Sequence, residues 1–348
     1  MQRLLAALST AADPTRLRLL ALAGRGSFCV TDFVEVLGQS QPRLSRHLRL
    51  LCEAGLLERV REGAHCWFCL PRGEAGTLAR DLLRLLPADD PILAADRRGA
   101  ARVLAERTRA ASATFQRQGA DWDEMRALGL PARAVEEHVL ALLPETGLGD
   151  ALDIGTGTGR LLEVLAPRIA SGTGIDASRA MLALARVRLA RPDLSHCTVR
   201  QADMYALPFP AGGFDLALLH MVLHHAEDPG AVLAEAARVL RPGGRLLVVD
   251  LAPHGRDDLG LAHRWRGFSD AGIGERLAAC GLAMNSPVSV AGALEVRIWS
   301  GLRPAPRQEA LPPGPPPKAG GLWKPGPLYP DCDTQKPDQI LLHRTPPR

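Results

Sequence analysis

A glycine-rich loop directly after an apolar segment constrains the fold of this chain more than any other feature. Residues 151–154 have the pattern of a strand end, and Gly155, Gly157 and Gly159 follow before a helical pattern begins. A glycine loop between a strand and a helix brings backbone N–H groups close to a ligand. Dinucleotide-binding loops usually have the spacing G-x-G-x-x-G, but this chain has Arg160 where the last glycine would stand. The loop therefore predicts a parallel α/β sheet whose ligand site departs from the dinucleotide pattern.

Acidic residues stand at the ends of successive predicted strands around this loop. Asp153 comes shortly before the first glycine, and Asp176 ends the next strand. A carboxylate at the end of that second strand can accept hydrogen bonds from both hydroxyls of a ribose. The following strand leads to Asp203 and Met204, an acid and an apolar side chain beside which an adenine ring could lie. These positions predict a nucleoside site at the carboxyl edge of the sheet.

Changes in composition divide the 348 residues into four segments. Residues 1–71 carry short helical patterns and a basic cluster, and residues 72–130 have the pattern of a helical connector with proline breaks, which we also expect to take part in dimerisation. Residues 131–302 alternate strands and helices, as parallel α/β sheets do. Residues 303–348 hold almost half of the 28 prolines and no periodic apolar pattern, so we expect a disordered tail there.

Composition excludes several classes of protein. Hydrophobic residues make up 46% and charged residues 23%, which is typical of a globular protein. No apolar run reaches the ~18 residues of a membrane-spanning helix, so no membrane partner is predicted. The seven cysteines have irregular spacings, which favours a cytoplasmic location over a secreted disulfide framework. The net charge of +4 permits a nucleic-acid partner without requiring one.

The first segment carries the helix signals of a helix-turn-helix. Asp13, followed by proline, is a typical N-cap of a first helix that ends at glycines. Thr31 is expected to cap a short second helix over residues 32–37, and Ser40 a third over residues 41–51. Two short helices joined by a glycine turn form a motif whose second helix can enter the major groove of DNA.

The third of these helices is amphipathic, and its other face is basic. Leu44, Leu48 and Leu51 share one side of a helical wheel, and three arginines lie opposite them. Arginine suits guanine, glutamine suits adenine, and the remaining donors suit phosphate. The predicted DNA-binding residues, with one from the hairpin described next, are Ser40, Gln41, Arg43, Ser45, Arg46, Arg49 and Arg61.

A β-hairpin is predicted directly after the basic helix. Its strands are residues 56–61 and 65–70, and the turn between them contains Glu62 and Gly63. A solvated surface helix would also carry arginines at this spacing. The order of helix, glycine turn, basic helix and hairpin wing is more specific, and it favours binding to double-stranded DNA.

Three runs of residues in the first segment match a known family of regulators. They extend from Asp13 to Leu20, from Gly38 to Leu48 and from Glu53 to Leu57. These runs resemble the ArsR-type winged-helix repressors. The resemblance implies a homodimer that binds a palindromic operator and releases it when an effector binds.

Cysteines decide whether that effector is a metal. Metal sensors of the family often carry Cys-Val-Cys in the helix before the recognition helix, where this chain has Cys29, Val30 and Thr31. A lone thiolate is a poor site for a soft metal ion. Cys66 and Cys69 lie in the wing, where residues three apart point to opposite faces of a strand. No metal site is therefore predicted, and an effector of another kind is expected.

Six ordered motifs in residues 131–302 resemble a second family. They are the runs 152–159, 174–176, 202–203, 214–215, 223–225 and 238–244. Their order is similar to that of class I S-adenosylmethionine-dependent methyltransferases, closest to the branch of the ubiquinone and menaquinone biosynthesis enzymes. The resemblance implies a Rossmann-like α/β fold, with S-adenosylmethionine as cofactor and S-adenosylhomocysteine as its product.

The same resemblance implies roles for individual residues. The loop glycines surround the methionine part of the cofactor, and Asp153 helps to hold its amino group. Asp176 takes the ribose hydroxyls, and Asp203 and Met204 contact the adenine. Trp122 and Arg126 are expected, from their position alone, to form a lid. The predicted cofactor-binding residues are Asp153, Gly155, Thr156, Gly157, Gly159, Asp176, Ala177, Asp203, Met204 and His220.

Histidines at strand ends are the candidates for catalysis. Methyl transfer depends mostly on alignment, and an oxygen or nitrogen acceptor also needs a base. His220, His225 and Asp250 lie at or just past predicted strand ends and are the candidate catalytic residues. His224 or His225 could instead only pack and hydrogen-bond at this corner of the chain. Few cysteines lie in this segment, which counts against the thiolate-dependent methylation of arsenite.

Three functions stay open at this stage. The first is a transcriptional regulator whose methyltransferase domain still acts on an unidentified small molecule. The second is a repressor that senses S-adenosylmethionine or S-adenosylhomocysteine and catalyses nothing, so that occupancy alone biases its affinity for DNA. The third is a metabolic methyltransferase with a degenerate helix-turn-helix. The intact row of arginines on the third helix argues against this function.

Overall fold

Helices and a small antiparallel sheet make up the N-terminal domain. The helices are α1 (Gln2–Ala11), α2 (Pro14–Ala23), α3 (Val30–Leu37) and α4 (Gln41–Glu53). The strands are β1 (Phe28–Cys29), β2 (Glu58–Glu62) and β3 (His65–Cys69), in the sheet order β1-β3-β2. The predicted order of helix, turn, helix and hairpin is confirmed. Sequence analysis does not predict α1, because Met1 at its N-cap position is not a capping residue.

Capping explains where the helices of this domain begin. The Asp13 carboxylate accepts a hydrogen bond from the Arg16 N–H at 2.9 Å, as its role of N-cap requires. The prediction that Thr31 caps α3 is wrong. Cys29 is the N-cap, and the Asp32 carboxylate accepts a hydrogen bond from the Cys29 N–H at 2.5 Å, so the helix begins earlier than expected.

This computed structural model describes residues 1–62, 65–71, 73–118, 129–256 and 263–305. Within these ranges no helix is long and apolar enough to cross a membrane. The predicted lid residues Trp122 and Arg126 lie outside them, as does almost all of the proline-rich segment 303–348.

The helical connector is part of the N-terminal core. It contains a short 3-10 helix (Gly73–Gly76), α5 (Thr77–Arg84) and α6 (Pro91–Gln118). Ala100 and Leu104 of α6 are buried in the same cluster as the leucines of α2 and α4. Asp96 of α6 accepts two hydrogen bonds from the Arg18 guanidinium of α2, both at 2.7 Å. The connector therefore supports the helix-turn-helix directly.

The C-terminal domain is a twisted sheet with helices against it. Its helices are α7 (Ala132–Ala141), α8 (Arg160–Leu165), α9 (Arg179–Arg188), α10 (Pro229–Val239) and α11 (Asp270–Ala279). Its strands are β4 (Leu148–Ile154), β5 (Ile169–Asp176), β6 (Cys197–Gln201), β7 (Phe214–His220), β8 (Leu240–Leu251), β9 (Ala283–Met284), β10 (Val288–Val290) and β11 (Val296–Leu302). The sheet order is β10-β11-β8-β7-β4-β5-β6, and β9 pairs with β11.

Strand direction brings the candidate site residues to one edge. Strands β6, β5, β4, β7 and β8 are parallel, and β11 joins them antiparallel to β8. The central strands are apolar on both faces, as in other parallel sheets covered by helices: Leu218 packs into the core of one face and Leu219 into that of the other. The carboxyl ends of the parallel strands consequently meet at one edge, where ligands bind in such folds.

Candidate cofactor site and nucleic-acid interface

The glycine loop lies at the carboxyl end of β4, where the chain turns into α8. Gly155, Gly157 and Gly159 have φ angles of +72°, +52° and +75°, in the left-handed region that favours glycine. A Cβ on Gly155 would lie 2.4 Å from Val222 Cγ2, so a side chain there would collide with the segment after β7. The loop therefore presents bare backbone at the ligand-binding edge of the sheet.

Asp153 is a buried carboxyl group beneath this loop. One of its oxygens, Oδ2, accepts a hydrogen bond from the Thr156 hydroxyl at 2.6 Å. The other, Oδ1, has no hydrogen-bond partner among the residues that the structure describes. Burial raises the pKa of Asp153 to about 7, and the negative charge of Asp176 adds to the rise. A buried, half-satisfied carboxyl group of this kind suits a cationic ligand group.

Asp176 ends β5 and faces the glycine loop. Its Oδ2 accepts a hydrogen bond from the Gly157 N–H at 2.9 Å, and its Oδ1 accepts one from the Ser178 N–H at 2.7 Å. Burial raises the pKa of this carboxyl group, although the backbone donors oppose the rise. The neighbouring Ala177 carbonyl accepts a hydrogen bond from the Gln201 side chain at 2.9 Å. Asp176 and Ala177 thus lie at the junction of the loop, β5 and β6.

Asp203 and Met204 follow β6 at the same edge. Asp176 is the register partner of Gln201, so these two residues lie just beyond the end of the β5–β6 pair. Asp203 is exposed, and its Oδ1 accepts a hydrogen bond from the Tyr205 N–H at 2.9 Å. Met204 is half-buried against the core. The structure therefore brings the predicted nucleoside residues to neighbouring strand ends.

His220 ends β7, next to the glycine loop. Its neighbour Leu219 is the register partner of Ile154, the last residue before the loop. Met221 follows with a φ of +55°, a backbone conformation that non-glycine residues rarely adopt. Strained residues of this type are held by their surroundings and cluster at functional sites. Sequence analysis does not predict this strain, because no local pattern signals it.

A chain of hydrogen bonds joins Asp250 to His225 through His224. Asp250 and His224 are fully buried, and Asp250 Oδ1 lies 2.7 Å from His224 Nδ1. Asp250 Oδ2 also accepts hydrogen bonds from the backbone N–H groups of Leu223 and His224, at 3.0 and 3.2 Å. His224 Nε2 lies 3.1 Å from Nε2 of the exposed His225. Asp250 therefore orients His224, and His225 is the member of the chain that faces outward.

Sequence analysis leaves open that His224 only packs and hydrogen-bonds at this corner, and in the structure it is fully buried and hydrogen-bonded between Asp250 and His225. The ring of His263 also packs on it, with 4.3 Å between the ring centroids. The signal available in the sequence was the pair of adjacent histidines after β7. The partner of each ring could not be read from it, because Asp250 lies on another strand.

The recognition helix α4 has the predicted two faces. Leu44, Leu48 and Leu51 are fully buried against the N-terminal core. The other face is exposed, and it carries Ser40 as N-cap, then Gln41, Arg43, Ser45, Arg46 and Arg49. Arg49 pairs with Glu53 at 3.7 Å, in an ion pair that is open to solvent.

The wing contacts the C-terminal domain. Arg61 in β2 is exposed, whereas its neighbour Glu62 is buried in a strand and not in a turn as predicted. Both carboxylate oxygens of Glu62 accept hydrogen bonds from the Arg186 guanidinium of α9 at 2.7 Å. Oε1 also accepts one from the Gln201 N–H at 2.8 Å. The Arg186 guanidinium lies 3.9 Å from the centre of the Trp67 ring of β3. The wing is thereby attached to α9 and to the end of β6.

The cysteines of the N-terminal domain have different chemical surroundings. Cys29 Sγ lies 3.0 Å from the Thr31 hydroxyl, and burial raises the pKa of this thiol. Cys69 is buried. Cys66, on the same strand, lies 3.2 Å from the Arg59 guanidinium. In the described ranges these residues do not form a group of metal ligands.

Comparison with known proteins matches both halves of the chain. Residues 13–59 match the bacterial regulatory proteins of the arsR family, and residues 152–248 match the methyltransferase domain family. An uncharacterised 37.1 kDa protein in transposon TN4556 of Streptomyces fradiae is 41% identical over 120 residues, 34% of each chain. The demethylmenaquinone methyltransferase of Thermus thermophilus is 39% identical over 115 residues, which are 32% of this chain and 52% of that one.

The matches cover parts of these proteins. This chain spans about a third of the first relative's length and about half of the second's. Among solved structures, the YcgJ protein of Bacillus subtilis has a TM-score of 0.44 and 19% identity over 50% of this chain and 100% of that one. Residues 13–59 are therefore similar to regulatory proteins of the arsR family, and residues 152–248 are similar to a methyltransferase domain.

Proposed function

We propose that the chain is a DNA-binding transcriptional regulator whose second domain binds S-adenosylmethionine and transfers its methyl group to a small molecule. The observation that carries this proposal is the buried ion pair of Glu62 in the wing with Arg186 in α9. It joins a DNA-reading element to the helix that begins just after Asp176. Breaking a buried ion pair is costly, so a displacement of α9 on ligand binding would act on the wing through this contact.

The residues at the sheet edge fit the cofactor. Bound S-adenosylmethionine supplies an activated methyl group on a sulfonium. Asp153, with an oxygen that lacks a hydrogen-bond partner among the described residues, is suited to the cationic amino group. Asp176 is suited to the ribose hydroxyls, and the open space beside Gly157 leaves room for the ligand's chain. We assign the adenine to the vicinity of Asp203, Met204 and Ala177, and the loop contacts to Thr156, Gly157 and His220.

The DNA-binding half of the proposal rests on the exposed face of α4. Arg43 and Arg46 are placed to reach bases or phosphates, and Arg61 extends the basic surface along the wing. We propose a homodimer on a palindromic operator, because α1 exposes Leu4, Leu5 and other apolar side chains that a second copy would cover.

His225 is the base that we propose for an oxygen or nitrogen acceptor. With the Nδ1 proton of His224 donated to Asp250, His224 Nε2 accepts a hydrogen bond from the His225 Nε2–H. In this arrangement the exposed His225 imidazole is the ring of the chain that a methyl acceptor can reach. Asp250 and His224 act as positioning residues, and their role resembles that of the carboxylate that orients a catalytic histidine in other enzymes.

The alternative is a repressor that senses S-adenosylmethionine or S-adenosylhomocysteine without catalysis. The contact of Glu62 with Arg186 and with the Gln201 N–H fits this alternative as well, since a sensor needs only a physical link between the ligand site and the wing. A ligand shifts an equilibrium only by its differential affinity for the two states, and this link provides a place where the two states can differ.

A methyl-transfer assay separates the two functions. The purified chain is incubated with S-adenosylmethionine labelled in the methyl group and a small-molecule extract, and products are separated by chromatography. The enzyme function predicts a labelled product that His225→Gln abolishes while S-adenosylhomocysteine binding is retained. No labelled product together with tight cofactor binding would establish the sensor, and failure of the wild type to bind the cofactor would contradict both.

A further inference from the structure

A cavity of about 440 Å³ lies between the N-terminal domain and the connector. Its walls come from the end of α2, from α5, from the segment between α5 and α6, and from the first turns of α6. The described residues that line it include none from the glycine loop. Its volume is in the range of small-molecule sites in proteins, and it is separate from the cofactor site.

Arginines supply most of the charge around this cavity. Arg25, Arg80, Arg84 and Arg97 all line it, and Asp96 is the acid among them. Asp96 already accepts two hydrogen bonds from an arginine of α2 that does not line the cavity. The acid is therefore engaged elsewhere, and the cavity carries an excess of positive charge.

Arg25 and Arg97 have no carboxylate partner among the described residues, whereas Arg84 pairs with Asp81, outside the lining, at 2.7 Å. Arg97 donates a hydrogen bond to the Ala88 carbonyl at 2.9 Å, which satisfies a donor but does not balance its charge. Arg25 is half-buried, and no carboxylate pairs with it in the part of the chain that the structure describes. Burial lowers the pKa of Arg25, and the positive charge of Arg97 lowers it further. Two guanidinium groups held near each other in this way attract an anion.

Most of the remaining lining is apolar, and Ser195 of the C-terminal domain adds one polar side chain. Leu22, Leu83, Leu86 and Leu93 contribute side chains, and Pro87 completes this surface. An inorganic anion alone would leave these side chains uncovered, whereas an organic anion would bury apolar surface and place its charge at the arginines.

We propose that this cavity binds a small organic anion, a carboxylate on an apolar body, at a site distinct from that of the cofactor. This second ligand site goes beyond the proposed function and does not depend on methyl transfer. It adjoins the recognition machinery, because α2 packs on α4 and a Cβ on Gly24 would lie 2.4 Å from Leu83 Cδ1. A ligand held between α2 and α5 therefore acts on the helices that support α4.

The probe is 2-naphthoate, compared with its neutral isostere 2-naphthamide, in calorimetric titrations of the full chain. We expect the carboxylate to bind at least about tenfold more tightly than the amide, because a charge-assisted hydrogen bond to arginine contributes most of the difference. The double variant Arg25→Gln, Arg97→Gln should lose this preference. Arg98→Gln is the matched control, since Arg98 is the next residue of α6, exposed and outside the lining.

A second measurement distinguishes a ligand-binding arginine from a structural one. Arg25→Gln should leave the melting temperature of the ligand-free protein unchanged or raise it, because the substitution removes a half-buried cation repelled by Arg97. A lowered melting temperature would mean that Arg25 serves the fold.

Binding of S-adenosylhomocysteine, measured in parallel, shows that each variant is folded. The titration is then repeated with decanoate, a carboxylate whose apolar body is flexible where that of 2-naphthoate is rigid. The proposal is overturned if neither carboxylate binds saturably below about 1 mM, if the amide binds as tightly as the acid, or if Arg98→Gln weakens binding as much as the double variant.

Discussion

Glu62 of the wing and Arg186 of α9 form an ion pair at 2.7 Å in which both side chains are 4% exposed. Burial lowers the pKa of Arg186, and the Glu62 charge opposes this effect. The same carboxylate accepts the Gln201 N–H, and Gln201 is the register partner of Asp176. Glu62 of the N-terminal domain is therefore hydrogen-bonded to α9 and to the end of β6, the two elements next to Asp176. A change in the position of α9 or β6 on ligand binding would act on the wing directly.

Loss of this ion pair should lower the free energy of unfolding of the protein. Glu62→Gln leaves Arg186 buried without a counter-charge, which costs about 3–5 kcal/mol of unfolding free energy. The measurement is urea denaturation followed by circular dichroism. Glu58→Gln, on the same strand, is the control and should change little. Replacement of both partners by apolar residues, Glu62→Leu with Arg186→Met, should recover most of the loss. Equal stability of Glu62→Gln and Glu58→Gln would show that the pair is not buried in solution.

Asp176 should determine cofactor affinity. Asp176→Ala removes the carboxylate assigned to the ribose hydroxyls, and loss of hydrogen bonds to a charged group weakens binding roughly tenfold to a hundredfold. Isothermal titration with S-adenosylmethionine measures the effect. Asp193→Ala changes an exposed acid of the same domain and should bind like the wild type. An unchanged dissociation constant in Asp176→Ala would remove this residue from the site.

Cofactor affinity should depend on the charge of Asp153. The pKa of its carboxyl group in the free protein is raised to about 7, so the group is mostly neutral at pH 6 and mostly charged at pH 8. Only the charged form attracts a cationic ligand, and affinity for S-adenosylmethionine should therefore fall several-fold from pH 7.5 to pH 6. The folded pKa exceeds the ordinary value, so the ligand-free protein should lose stability as the pH rises toward 7.

The control for this prediction is Asp153→Asn, whose affinity should be weaker and nearly flat over the same pH range. A wild-type profile as flat as that of the variant would show that Asp153 does not meet a cation.

Sequence patterns predict much of the fold because their causes are local. Asp13 caps α2 through its own neighbour, and Leu44 and Leu48 are buried because their spacing puts them on one side of α4. Asp176 and Asp203 reach the same edge because parallel strands point their carboxyl ends the same way. Such positions follow from periodicity and strand order, without knowledge of any particular contact.

The parts that sequence analysis does not predict depend on contacts between distant residues. Glu62 lies next to a turn signal, and its burial is decided by Arg186, 124 positions away. His224 becomes the centre of a hydrogen-bond chain because Asp250, near the end of a different strand, accepts its hydrogen bonds. Met221 has a positive φ directly after β7, where its N–H donates a hydrogen bond to the Val249 carbonyl of β8 at 2.8 Å. None of these three contacts produces a periodic pattern in the amino-acid sequence.

The exposed face of α4 should contribute to operator binding and not to cofactor binding by the DNA-free protein. Arg46→Ala should weaken binding to a selected operator about 5- to 100-fold, because an arginine contact to a base contributes roughly 1–3 kcal/mol. Fluorescence anisotropy at fixed salt measures this, with an operator obtained by selection from random duplexes. Arg133→Ala is the control, since Arg133 is 92% exposed on α7 of the other domain. Wild-type affinity for the operator in Arg46→Ala would contradict the assignment of α4, and loss of cofactor binding by the DNA-free variant would contradict the placement of the two sites in separate domains.

Operator affinity of the wild-type chain with and without saturating S-adenosylhomocysteine tests the central claim most directly. We predict a change of at least about fivefold in the dissociation constant, in the range of ordinary coupling between two sites. The apolar replacement of both Glu62 and Arg186 should abolish most of that change while both ligands still bind. Equal dissociation constants in the presence and absence of S-adenosylhomocysteine, in a wild-type protein that binds both ligands, would contradict the account.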